Sequence, residues 1–142
     1  MKKIKTLAIG IFLLLAQTTS TYAQEKQEIA KGPHNGIVQN SGDYKIEMVE
    51  GEHSLSFYIL DGKDKTLPNK KMTGTVAFEF FNKTKSSSPL TLETTNALTV
   101  EIPKASVFTY CTISINVKGK TITAKFRNSE VSEEEISHGH QH

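Results

Sequence analysis

The chain has 142 residues, 17 Lys and Arg against 15 Asp and Glu, one cysteine and no tryptophan. Three of the lysines fall within the first five residues. The rest of the chain is near charge balance, which argues against a nucleic-acid or anionic-membrane partner. A lone cysteine excludes an intrachain disulfide framework, so stability has to come from a buried core.

Residues 1–23 read as a cleaved signal peptide. Lys2, Lys3 and Lys5 form a basic start, Leu7 to Ala16 an apolar run of ten, and Thr21 and Ala23 are small where cleavage requires it. A membrane span needs about 20 apolar residues, so this run is too short to be an anchor. Cleavage after Ala23 leaves 119 of the 142 residues, with 14 basic and 15 acidic side chains. The expected location is periplasmic or secreted, with no membrane span in the mature chain.

Residues 24–33 are polar and charged, and are expected to form a flexible lead-in. Gly32-Pro33-His34-Asn35-Gly36 follows. Pro33 fixes φ and Asn35-Gly36 tolerate positive φ, so the stretch is at least a turn feeding the first strand. Its imidazole is also a candidate metal ligand.

From Gly36 the pattern is period-2. Tyr44, Ile46 and Met48 alternate with Lys45, Glu47 and Val49. Leu55, Phe57 and Ile59 follow, then Val76, Phe78 and Phe80, then Leu98, Val100 and Ile102. Cys111, Ile113, Ile115 and Val117 come next, and Ile122, Ala124 and Phe126 close the series. Each set predicts one apolar face turned inward and a Thr, Lys or Glu face turned outward. Turn residues separate the runs at 40–43, 50–52, 61–64, 83–89, 94–96 and 118–120. Seven to eight short strands at this spacing predict an all-β fold over residues 34–127, an antiparallel immunoglobulin-like β-sandwich. No helical periodicity is visible after the leader. Residues 128–142 are acidic and then His-rich, and are expected to form a disordered tail.

His138, His140 and His142 are the sharpest local signal. Imidazole is the commonest metal-binding side chain, and alternate spacing around Gly139 lets several rings converge on one ion. Imidazole suits Cu(II), Zn(II) and Ni(II). Cys111 and Met48 share faces with aliphatic residues and read as core. Met72 reads as loop and His53 as surface at a strand start. No nucleophile motif, phosphate-binding glycine loop or HExxH is present, so no enzyme activity is expected.

The stretch Gly32-Pro33-His34-Asn35-Gly36, with Gly42-Asp43-Tyr44, Glu47, Phe57-Tyr58, Asp61-Gly62 and Leu67-Pro68 in that order, resembles the N-terminal β-domain of periplasmic adaptor proteins of heavy-metal RND efflux systems. It is also similar to small free-standing exported proteins of that kind. The resemblance spans about 32–127, and Asn35 stands where the family usually has glycine. It implies a β-domain that handles a transition metal ion, with His34 as a ligand and efflux components as partners. The adaptor's hairpin and membrane-fusion segments have no counterpart here. The expected function is therefore exported metal binding through His138, His140, His142 and His34, for buffering or delivery. The alternative is a protein-interaction module without metal function.

Overall fold

The computed structural model describes residues 30–138, with the side chain of His138 left out. The leader at 1–23, residues 24–29 of the lead-in, and His140 and His142 lie outside the described residues.

Among the described residues nine strands form two antiparallel sheets. In chain order they are β1 (Ile37–Ser41), β2 (Tyr44–Glu50), β3 (Ser54–Leu60), β4 (Thr73–Phe80), β5 (Lys85–Pro89), β6 (Thr91–Leu92), β7 (Leu98–Glu101), β8 (Phe108–Val117) and β9 (Lys120–Arg127). One sheet runs β1-β2-β3-β7-β6 and the other β5-β4-β8-β9. Their inner faces make one core. Ile46, Met48, Leu55, Phe57, Ile59, Leu98 and Val100 meet Val76, Phe78, Cys111, Ile113, Ile115, Ile122 and Phe126. Phe57 crosses from one sheet to Phe126 of the other with ring centroids 6.0 Å apart. The all-β sandwich follows from the period-2 pattern, because alternate side chains of a strand lie on one face.

The strands are more numerous than expected, for a physical reason. Lys85–Pro89 carries three consecutive serines and reads as a turn, yet it pairs with β4 from Thr75↔Pro89 to Glu79↔Lys85. It is an edge strand whose side chains are mostly exposed, so no apolar alternation marks it. Backbone pairing alone defines it, and the Lys and Pro at its ends blunt an open edge.

Two further expectations are corrected. The lead-in is not free at residues 31–33. Lys31 bridges to Ile37, and Gly32 N–H donates to the Gly36 carbonyl at 3.0 Å. The C-terminal segment is ordered from Asn128 into a short helix, α1 (Glu133–His138). Asn128 Nδ2 donates to the Phe108 carbonyl at 3.0 Å, Val131 is buried, and Ser132 and Glu135 cap the helix reciprocally at 2.9 and 3.0 Å. That capping pair makes an acidic segment helical without an apolar stripe. Met72, read as loop, does lie outside a strand, and its side chain is buried in the core.

Candidate functional site

The outer face of the five-stranded sheet carries the chemistry. Glu47 lies between Val38 of β1 and Tyr58 of β3 in the strand register. Ile46 and Met48 face the core, so alternation points Glu47 outward, where a carboxylate is expected in water. It is instead completely buried. The cover is the Gly32–Gly36 loop, folded back over β2.

That loop is shaped around the carboxylate. Glu47 Oε2 accepts the backbone N–H groups of His34 and Gly36, each at 2.8 Å. Glu47 Oε1 lies 2.8 Å from His34 Nδ1. Burying a carboxylate is costly unless it is hydrogen-bonded, and here both oxygens have donors. The two glycines make the approach possible. A Cβ on Gly32 would lie 2.4 Å from Glu47 Cδ, and one on Gly36 would lie 2.3 Å from the Met48 carbonyl oxygen. Between them Asn35 adopts φ 67°, the left-handed region that Asn tolerates better than most residues.

The imidazole is fixed on two sides. Its ring stacks on Tyr58 with centroids 3.6 Å apart and planes 6° from parallel. A carboxylate only accepts, so Nδ1 carries the proton toward Glu47, and in the neutral ring Nε2 keeps its lone pair. The His34 side chain is 31% exposed. This is the carboxylate–histidine pairing that orients metal-ligating imidazoles.

His34 stands alone as a ligand here: among the described residues no group of three or more His, Cys, Asp or Glu side chains could hold a metal ion. Nor does the fold bring α1 to it. Glu133, Ile136 and Ser137 of α1 lie beside Lys83 and Tyr110. Tyr110 alternates with the inward Cys111, so it sits on the outer face of the four-stranded sheet, under Lys125 Nζ at 4.4 Å. His34 and the helix ending at His138 thus belong to opposite faces of the sandwich. His53 is exposed just before β3, 3.8 Å from Glu52.

Cys111 is a core residue, as its register predicts. Its Sγ lies 3.9 Å from Met48 Sδ. Burial first, and the charge of Glu50 second, push its thiol up to about 12. The thiolate that a metal or an electrophile needs is therefore suppressed.

Alternation puts Glu47 on the outer face, where it lies; what the sequence pattern does not show is that the Gly32–Gly36 loop covers it there. The usable signal was the pair of glycines flanking His34, which mark a close approach of backbone to another group.

Together these features define an all-β sandwich domain with a carboxylate-held histidine on one outer face. No family model, curated protein or solved structure matches the chain.

Proposed function

We propose that the chain is an exported, immunoglobulin-like sandwich that binds transition metal ions and buffers them or passes them to a heavy-metal efflux system. The observation that carries this reading is the part-exposed His34 imidazole, held by Glu47 at Nδ1 and stacked on Tyr58. Locking an imidazole loses little further entropy on coordination, which favours a ligand role over that of a loose surface histidine. The His138, His140 and His142 repeat supplies more imidazole in the same chain. The resemblance of residues 32–127 to efflux-adaptor β-domains points to the same chemistry.

The test is calorimetric titration of Cu(II), Zn(II) and Ni(II) into the chain from Gln24. The comparison variants are His34→Ala, the triple alanine replacement at 138, 140 and 142, and the combination. The expected result is tightest binding of Cu(II), where the order of complex stability peaks. Affinity should fall in each variant and be lost in the combination. Equal binding by all four proteins, or none by the unaltered one, would overturn the reading and leave the interaction module in its place.

A further inference from the structure

We propose that Asn35 is a self-modification site. Its side-chain amide is converted through a succinimide to aspartate or isoaspartate when the Gly32–Gly36 loop lifts from Glu47, and the isoaspartate product keeps the loop from closing again. The inference goes beyond the metal-binding reading and does not depend on it.

Asn35-Gly36 is the only Asn-Gly pair in the chain. The chemistry follows from the residue types. The Gly36 backbone nitrogen loses its proton and attacks the Asn35 side-chain carbonyl carbon. A carbon–nitrogen bond forms, the side-chain nitrogen leaves as ammonia, and a five-membered ring closes. Water then opens the ring at either carbonyl. Opening at one restores a normal backbone with an aspartate side chain. Opening at the other sends the backbone through the side chain and lengthens it by one methylene. Because glycine follows the asparagine, no side chain shields the attacking nitrogen. Asn35 itself is exposed to the water that completes the reaction.

The closed loop blocks the first step twice. Gly36 N–H donates to Glu47 Oε2 at 2.8 Å, and the carboxylate is fully buried. A carboxylate is far too weak a base to take a backbone amide proton. A deprotonated Gly36 nitrogen would therefore be an anion set against a buried anion, which low-dielectric surroundings disfavour strongly. Ring closure also requires the peptide between Asn35 and Gly36 to turn. That turn is pinned from both sides, because Asn35 N–H donates to the Gly32 carbonyl at 2.9 Å and Gly32 N–H to the Gly36 carbonyl at 3.0 Å. The reaction belongs to the open loop, and its native rate is the unfolded-chain rate scaled by the fraction of molecules open.

The isoaspartate product cannot reseat. Gly36 lies so close to β2 that a Cβ there would be 2.3 Å from the Met48 carbonyl oxygen. A backbone longer by one methylene has no slack to take up at that contact, so it cannot bring the His34 and Gly36 N–H groups to Oε2 together. The modification is a one-way release of the cover over Glu47.

The experiment incubates the chain from Gln24 in mildly alkaline buffer, both native and unfolded in guanidinium chloride. Peptide mapping by mass and retention reads the conversion of Asn35 and separates aspartate from isoaspartate. Two variants lift the loop by independent routes. Glu47→Ala removes the acceptor, and Gly32→Ala drives a Cβ into the carboxylate, while both leave Asn35 and Gly36 untouched. Protection of the buried Cys111 from alkylation shows that the core of each variant is intact. The native parent should convert at least about tenfold more slowly than the unfolded chain, as a loop closed in about nine molecules of ten requires. Both variants should move most of the way to the unfolded rate. In the aged parent, isoaspartate molecules should lack the His34–Tyr58 stack, read from ring-current shifts of the imidazole protons.

A native parent that converts as fast as the unfolded chain would overturn the proposal. So would lifted-loop variants with protected Cys111 that convert no faster than the parent, or isoaspartate molecules that keep the stack. Should one variant lose its core, the other carries the comparison, and the two measurements on the parent need no variant.

Discussion

The Gly32–Gly36 loop predicts a sharp response to one added methyl group. In Gly32→Ala the new Cβ would lie 2.4 Å from Glu47 Cδ, 2.6 Å from Oε1 and 2.7 Å from Oε2. The carboxylate is fully buried and tied by three hydrogen bonds, so it has little room to yield. The loop must lift instead. Three bonds to a charged acceptor, at about 1.5–3 kcal/mol each, are then exchanged for water. Freeing five residues recovers backbone entropy of about 1–2 kcal/mol each. These terms nearly cancel, and the balance left by the Tyr58 stack and the Lys31 bridge is on the order of 2 kcal/mol. For a domain near 100 residues that is a fall in Tm of roughly 10 °C. The reasoning also fixes a coupling. In a Glu47→Ala background the clashing atoms are gone, so Gly32→Ala should cost only a few tenths of a kcal/mol there, as for an ordinary loop position. Urea denaturation of the two single variants and the double variant measures the cycle. Additive effects, or a Gly32→Ala protein as stable as the parent with His34 still stacked on Tyr58, would refute this picture of the loop.

Other outcomes follow from single side chains. Cys111 should resist alkylation at pH 8 in the native state and react after unfolding, since burial holds its thiol near 12 rather than 9.0. The native state keeps that proton longer than the unfolded one, so the stability this thiol contributes is full below pH 9.0 and is lost as pH rises toward about 12. Cys111→Ala should cost about 1 kcal/mol for the deleted buried atom and its cavity, read from a urea midpoint, and leave metal binding unchanged. Asp61 is shifted the other way. The Lys65 and Lys63 backbone N–H groups donate to its Oδ1 at 2.9 and 2.8 Å and hold its carboxyl below the ordinary 3.8. Its contribution is present above that value and fades as pH falls through the lowered one, so Asp61→Asn should flatten the acid limb of a stability–pH curve. Metal binding through the tail should weaken from about pH 7 to pH 5 in a calorimetric series, because protonated imidazole, with an ordinary pKa near 6.5, does not coordinate.

The sandwich was legible because its inner faces are marked twice over, by alternation and by β-branched or aromatic residues. Phe57, Phe78 and Phe126 fall in register with their neighbours and meet as that register requires. Strand β5 was not legible, because an exposed edge of serines leaves no mark that distinguishes a paired backbone from a loop. Helix α1 was hidden for a related reason. A reciprocal cap between Ser132 and Glu135 sets it, and so short a helix has no room for an apolar period.

The site divides along the same line. His34 stood out by residue type and by its glycine neighbours, whereas Glu47 obeyed the alternation of its strand and so looked like any solvated acid. Period-2 reasoning says which face a residue occupies and nothing about what covers that face. The cover here is a segment 13 positions away in the chain, and its contact with Glu47 is set by tertiary structure. Once the carboxylate is known to be buried, however, the local sequence becomes explicable residue by residue. Gly32 and Gly36 leave room for the carboxylate and for the backbone of β2, and Asn35 bears the positive φ between them. Pro33 needs no N–H, since the donors to Glu47 come from His34 and Gly36. The imidazole meets Oε1 through Nδ1 and lays its ring on Tyr58 at the same time. Lysine in its place would offer donors only, and asparagine or glutamine would lack the flat ring that stacks on Tyr58. Histidine meets both demands with one small ring, which is why replacing it perturbs the buried carboxylate and the Tyr58 stack together.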